Sequence, residues 1–149
     1  MHIRNDKLFQ LSACVISKNE ESLIERCLKS LSFADEIILI DAFSTDQTVL
    51  RAKPYATKII QNQGQGFAKQ RNLGLSHCRG RWVFFLDSDE EASEELGLRL
   101  RQIAYDNVGT HPNCYSILRK EYFLGKELQY GPGNPSYQWR FFKHEGVVF

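Results

Sequence analysis

An α/β fold with a mostly parallel sheet flanked by helices is what this sequence predicts, and three observations lead to it. Residues 11–17, 36–40 and 82–86 are predominantly apolar runs, as expected of strands buried on both faces. Amphipathic helical stretches lie between them, so strand and helix alternate along the chain. Each run stops abruptly on polar or acidic residues: Lys18-Asn19-Glu20, then Asp41, then Asp87-Ser88-Asp89. In a parallel sheet these ends share one edge, the edge at which open α/β sheets bind ligands.

The elements follow in order. After the first strand, Lys18-Asn19-Glu20-Glu21 offers capping side chains and acids for a first helical turn. Leu23, Ile24, Cys27, Leu28 and Leu31 then form one face of an amphipathic helix. Residues 36–40 (EIILI) make a second buried strand ending on Asp41, and Ser44-Thr45-Asp46 can cap a short helix reaching about Ala56. A short third strand is expected over residues 57–60, a polar loop over 61–66, and a helix over 67–77 with Gly80 as its stop. Trp82 opens the fourth strand. Leu96, Leu100, Ile103 and Ala104 then give a helical stripe ending near Asn107-Val108-Gly109. Residues 114–119 and 138–142 read as two further strands, separated by the turn-rich Gly131-Pro132-Gly133-Asn134-Pro135.

The 149 residues suffice for one domain with a real core. Within it, residues of about 11–107 are expected to form a nucleotide-binding half, and about 108–149 to begin a region that could shape a second substrate's pocket. With 42% hydrophobic and 25% charged residues, neither disorder nor a fibrous repeat is indicated. A net charge of +1 argues against a nucleic-acid partner. Cys14, Cys27, Cys78 and Cys114 form no CxxC pair and read as reduced core residues of a cytoplasmic protein. The start has no apolar signal region and no apolar stretch approaches about 18 residues, so a soluble chain is expected, with peripheral contact at the inner face of the membrane left open.

Asp87-Ser88-Asp89 carries the first chemical signal. Two like charges about 4 Å apart repel by roughly 1 kcal/mol in water and roughly 4 kcal/mol at an effective dielectric near 20. A hard divalent cation bridging to a phosphate would satisfy both carboxylates; the other reading is an acidic first turn of the next helix. Asp41, followed by Ala42-Phe43-Ser44-Thr45-Asp46, could accept hydrogen bonds from a base or ribose, or form a turn or cap. Lys69, Arg71 and Asn72 share one helical turn. Facing the sheet edge, Arg71 would neutralise a phosphate or hold an acid of the Asp87–Asp89 cluster; facing water, it would be a solvated surface.

Several chemistries are disfavoured. Neither GxGxxG nor GxxxxGK[ST] occurs, no GxSxG elbow occurs, and His2, His77, His111 and His144 lack zinc-ligand spacing. Tyr137, Trp139, Phe141 and Phe142, with Arg140 and Lys143, form either a sugar-stacking or membrane-facing surface or simply the core side of a strand. Residues 130–134 are a candidate acceptor-side loop.

Taken together, LSACVISKNEESLIERCLKSL, FADEIILIDAFSTDQTV, GFAKQRNLGLSHCRGRWVFFLDSDEE, RKEYFLGKEL and WRFFK resemble family 2 glycosyltransferases, most of all the lipopolysaccharide-core β-glucosyltransferase type. The resemblance runs from Leu11 to about Lys143. It implies a GT-A (Rossmann-like) fold, a nucleotide-diphosphate sugar donor, an Mg or Mn ion, and a glycan or lipid-linked acceptor of the cell envelope. Asp41 matches the acid that contacts the nucleotide's base, and Glu20 falls at the first strand-to-helix junction lining the same pocket. Asp87-Ser88-Asp89 matches the DxD motif, with Asp87 toward ribose or metal and Asp89 on the metal. Arg71 and Asn72 match an ARN-like helix position near the donor.

The implied reaction is in-line displacement of a diphosphate from an anomeric carbon, with inversion, metal assistance and a carboxylate that takes the acceptor's proton. Related enzymes place that carboxylate after the arginine-and-phenylalanine strand, beyond the region corresponding to WRFFKHEGVVF. Glu145 is a weak match to it. The expectation is therefore an amino-terminal portion of a longer enzyme that keeps the donor site, with its base beyond Phe149. A non-catalytic nucleotide-sugar-binding module stands beside this reading. A sugar-1-phosphate nucleotidyltransferase is disfavoured because residues 11–21 contain no glycine.

Overall fold

The computed structural model describes residues 9–63, 66–107, 109–129 and 135–149. In chain order the elements are β1 (Leu11–Ser17), α1 (Ile24–Ser30), β2 (Glu36–Asp41), α2 (Thr48–Ala52), β3 (Lys58–Gln61), α3 (Phe67–His77), β4 (Trp82–Asp87), α4 (Glu94–Tyr105), β5 (Cys114–Arg119), β6 (Tyr122–Phe123), β7 (Lys126–Glu127) and β8 (Ser136–Lys143). Six strands form one sheet in the order β3-β2-β1-β4-β8-β5. The first four are parallel, and β8 runs antiparallel to both β4 and β5. The mostly parallel sheet expected from the apolar runs is present, and β1, β2 and β4 are its buried centre.

Each face of the sheet has its own core. On one, Leu28, Leu31, Leu100 and Ile103 pack with Trp82, Phe84 and Phe141. On the other, Leu75 and Cys78 meet Cys14, Ile38, Ile40, Phe85 and Phe142. Each fully buried Leu, Ile or Phe contributes about 1.5–3 kcal/mol relative to exposure. All four cysteines are free. Close packing explains two glycines. A Cβ on Gly74 would lie 2.3 Å from Cys14 Sγ, so α3 approaches β1 only without a side chain there. A Cβ on Gly80 would lie 2.5 Å from the Ser12 backbone nitrogen. Gly80 is therefore a close-approach residue, and the helix ends before it, at Cys78.

At the sheet edge away from the strand ends, Glu36 is a fully buried acid with a complete set of partners. Ser12 Oγ donates to it at 2.6 Å, Arg79 N at 2.6 Å and Arg79 Nε at 2.8 Å. A buried charge persists only when paired and hydrogen-bonded in this way.

Some boundaries differ from the sequence expectation. Glu20 and Glu21 do not begin the first helix: α1 starts at Ile24 with no side-chain cap, because the loop before it is tied to the next loop instead. α2 ends at Ala52, four residues before Ala56; of the three predicted cap residues Ser44 bonds Asp41, while Asp46 holds the helix start, its Oδ1 accepting from Thr48 N at 2.9 Å. β8 begins two residues before Gln138. The hairpin of β6 and β7 was not anticipated. Its two-residue loop, Leu124-Gly125, has φ of 49° and 77°, and a leucine at the first position conceals the usual turn signal. The expected turn at residues 131–134, with Tyr130, His2, Gly64 and Val108, lies outside the described residues. Among the described residues, no helix is long and apolar enough to cross a membrane.

Candidate functional site

Strand order reverses at β1. The chain builds outward from β1 to β2 and β3, then returns to add β4 on the other side of β1. Loops after β1 and β4 consequently diverge, leaving the crevice in which α/β sheets bind ligands. Register places Ser17 beside Asp41, and Ile16 beside Asp87, so the three predicted polar exits do share this edge.

Asp41 ends β2 with 0% exposure. Its Oδ1 accepts from Ser17 Oγ at 3.3 Å and from Ser44 Oγ; its Oδ2 accepts from Ser44 N at 2.9 Å and Gln61 Nε2 at 3.2 Å. A carboxylate has about four lone-pair sites, so Asp41 is fully occupied in organising the loop that follows it. The β1–α1 and β2–α2 loops are then laced together. Asn19 N donates to Ser44 Oγ at 2.8 Å, Thr45 N to Asn19 Oδ1 at 2.9 Å, Glu20 N to Thr48 Oγ1 at 2.8 Å and Gln47 N to Glu21 Oε2 at 2.9 Å. Glu20 itself is half-buried on this shared rim.

Two residues of the laced loops have left-handed backbones: Asn19 at φ 55° and Phe43 at φ 53°. Asparagine visits this region readily, whereas a bulky residue costs about 1–2 kcal/mol there. Phe43 is also 51% exposed.

The exit of β4 is a tight turn. Glu90 N donates to Asp87 O at 3.0 Å, and Asp87 N donates to Glu90 Oε2 at 3.1 Å. Three arginines converge on it from different elements. Arg140 Nη2, on β8, lies 2.7 Å from Asp87 Oδ2 and 3.1 Å from Glu90 Oε1; Arg71 Nη2, on α3, lies 3.7 Å from Asp87 Oδ1; Arg119 Nη1, on β5, lies 3.8 Å from Glu90. Burial alone would push the Asp87 carboxyl up; the hydrogen bond and charge of Arg140, with Arg71 and Arg119, outweigh it and hold Asp87 below its usual range. For Glu90 burial dominates, aided by the charge of Asp87, and the carboxyl is raised despite Arg140.

Arg140 was missing from the sequence-derived site. Its side chain is only 8% exposed. Register shows how it gets there: Phe141 pairs with Tyr115 and Trp139 with Ser116, so Arg140 is an extra residue in β8 with no counterpart in β5. Such bulges re-aim a side chain beside functional sites. The available signal was a lone charge inside an aromatic strand, QWRFF, since a buried charge requires a partner.

Asp89 is exposed and has no ion pair among the described residues. Among those residues no three His, Cys, Asp or Glu side chains group to hold a cation by themselves. Asp89 is the carboxylate of the turn left without an ion pair, whereas the charge of Asp87 is met by Arg140.

Two further predicted residues have surroundings of their own. The Asn72 amide grips a backbone: its Nδ2 donates to Phe149 O at 2.9 Å, and Phe149 N donates to its Oδ1 at 2.9 Å. Glu145, the weak match to a base, lies away from the Asp87 turn. It lies two residues past Lys143, which pairs with Trp82 at the start of β4, while Asp87 ends that strand. Five residues of strand span about 16 Å, so Glu145 sits at the opposite edge, beside Arg79, Gly80 and His144. The aromatic group divides: Phe141 and Phe142 are core, whereas Tyr137 and Trp139 are 59% and 69% exposed.

Known proteins resemble this chain in sequence and in fold. The family model described as Glycosyl transferase family 2 matches residues 12–147. An uncharacterized glycosyltransferase of Rickettsia bellii is 38% identical over 88 residues, 58% of this chain and 30% of its own length. The lipopolysaccharide core biosynthesis glycosyltransferase LpsC of Rhizobium meliloti is 30% identical over 123 residues, 77% of this chain and 44% of its own. The matched stretches thus cover less than half of either relative. Among solved structures, S. aureus TarS 1-349 in complex with UDP-GlcNAc aligns with a TM-score of 0.53 at 30% identity, covering 63% of this chain and 30% of that one. Mannosyltransferase PcManGT from Pyrobaculum calidifontis, in complex with GDP-Man and Mn2+, aligns with a TM-score of 0.55 at 25% identity, covering 68% and 34%.

Proposed function

Because the chain belongs to glycosyl transferase family 2 and has the GT-A fold, we propose that its crevice binds a nucleotide-diphosphate sugar for transfer to a glycan or lipid-linked acceptor with inversion. The observation that carries this is the meeting, at one strand-order reversal, of the laced Glu20–Asp41 rim with the Asp87–Asp89 turn and Arg71. The named solved neighbours bind UDP-GlcNAc in one case and GDP-Man with Mn2+ in the other.

In this reading the rim formed by Asp41, Glu20 and the loops they hold receives the nucleoside. Asp89, with Asp87 beside it, holds a divalent cation, Mg or Mn, together with the donor's phosphates. A bound cation supplies electrostatic stabilisation of the charge developing on the leaving diphosphate. Arg71 places a second positive charge at the same turn, and Arg140 keeps the Asp87 carboxylate ionised and fixed. With Glu145 at the opposite edge, the proton of the acceptor hydroxyl is taken by a group other than Glu145. That placement also favours a second reading, donor binding without turnover by this chain.

Titration calorimetry with UDP-glucose, UDP-GlcNAc and GDP-mannose, with and without Mn2+, tests the site. Metal-dependent binding of one donor, abolished in Asp89→Ala, is expected. Binding that stays metal-dependent in that variant refutes the role of Asp89; no binding of any donor refutes the donor reading. A transfer assay with the anomeric configuration read by NMR separates inverting transfer from binding alone.

A further inference from the structure

Phe43 is held in a backbone conformation that favours glycine, on an exposed surface where burial returns little for its ring. The neighbours on either side enforce this. Asp41 binds Ser44 through both backbone and hydroxyl, and Asn19 binds Ser44 and Thr45, so residues 42–45 are clamped with Phe43 at the crest. Asp41 accepts four hydrogen bonds from the protein, two from Ser44 in this clamp and one each from Ser17 and Gln61. The buried carboxylate therefore shapes the rim, and Phe43 is the exposed group that the shaped rim offers two residues further on.

Strain of this kind persists where the surrounding structure over-determines it, and it gathers at ligand sites. An exposed flat ring at the exit of a parallel strand suits the flat face of a nucleobase, and stacking of a base on an aromatic side chain is favourable whatever the base. We propose that Phe43 is the base-stacking residue of the donor site, with the nucleoside of a nucleotide diphosphate as its ligand. The proposal rests on the donor reading given above and adds a contact that the acidic residues do not provide.

The test compares Phe43→Gly and Phe43→Tyr with the wild type, using UDP, GDP and inorganic pyrophosphate as probes, each with Mn2+. Glycine relieves the left-handed strain, so the melting temperature of Phe43→Gly should be equal to or above that of the wild type. Its affinity for UDP or GDP should fall about tenfold, equivalent to ~1.4 kcal/mol, with pyrophosphate affinity unchanged and Phe43→Tyr close to wild type. Unchanged nucleotide affinity in Phe43→Gly overturns the proposal while leaving the donor reading intact. A parallel loss of pyrophosphate binding also overturns it, since that marks collapse of the loop. A wild type that binds neither nucleotide overturns the donor reading itself.

Discussion

Arg140 reaches from the antiparallel strand β8 to Asp87 at the end of the parallel strand β4, with Nη2 2.7 Å from Oδ2. The contact ties the two halves of the sheet together at the edge where ligands bind. It also makes the two acids of the Asp-Ser-Asp turn unequal: one is ion-paired, the other is exposed and carries no ion pair among the described residues.

Replacing Arg140 by methionine leaves two carboxylates facing each other without their main partner. Removing one member of a fully buried pair costs about 3–5 kcal/mol, and Asp87, 43% exposed, is partly rescued by water. A loss of about 1–3 kcal/mol in urea unfolding is expected, with Arg140→Lys recovering only part, since one ammonium replaces a planar fork. Stability equal to the wild type in Arg140→Met would refute the importance of the pair.

Asp87 and Glu90 should titrate apart despite sharing Arg140. Asp87 is depressed, so its stabilising contribution is present above about pH 4, the unfolded value, and is lost as pH falls through its lower folded value. Glu90 is raised, so its contribution is full below about pH 4, near the unfolded value, and declines as pH rises through the folded one. Carboxyl carbon NMR of labelled protein reads both transitions, and coincident midpoints at ordinary values would contradict the arrangement.

Glu36→Gln tests the opposite edge. The amide presents an N–H group to donors that now meet a carboxylate, among them Ser12 Oγ and the Arg79 guanidinium. A destabilisation of about 2–4 kcal/mol is expected, while donor affinity, measured below the unfolding transition, stays at the wild-type value.

Glu145→Gln should leave both donor affinity and any transfer rate within about twofold of wild type, a barrier change of ~0.4 kcal/mol. A loss of a hundredfold or more in rate would return Glu145 to the active site and contradict the strand register.

Gly74→Ala should destabilise the fold by about 1–3 kcal/mol through overpacking, because the new methyl would meet Cys14 Sγ at 2.3 Å. Combining it with Cys14→Ala should recover part of the loss, a coupling that a double-mutant cycle measures directly.

The buried strands and the acids that end them were legible in the sequence because both signals are local. An unbroken apolar run such as WVFFLD marks a strand covered on both faces, and its end marks the edge. The resemblance to family 2 glycosyltransferases, carried by the order of those motifs, was legible for the same reason, and the family match confirms it. Helix starts were less legible, since the Asn19 and Glu21 side chains that resemble caps after β1 accept instead from the backbone of Thr45 and Gln47, 26 residues away in the next loop.

Tertiary structure alone decided which residues meet. Nothing local in QWRFF specifies that β8 pairs antiparallel with β4, yet that direction brings Arg140 to Asp87 and carries Glu145 to the far edge. The bulge that frees Arg140 is visible only against β5, and the left-handed turn of Phe43 only once Asn19 and Asp41 have closed on Ser44. Periodicity records which side of an element is buried. Strand direction and register arise from contacts between residues far apart in the chain, and those contacts assemble the site.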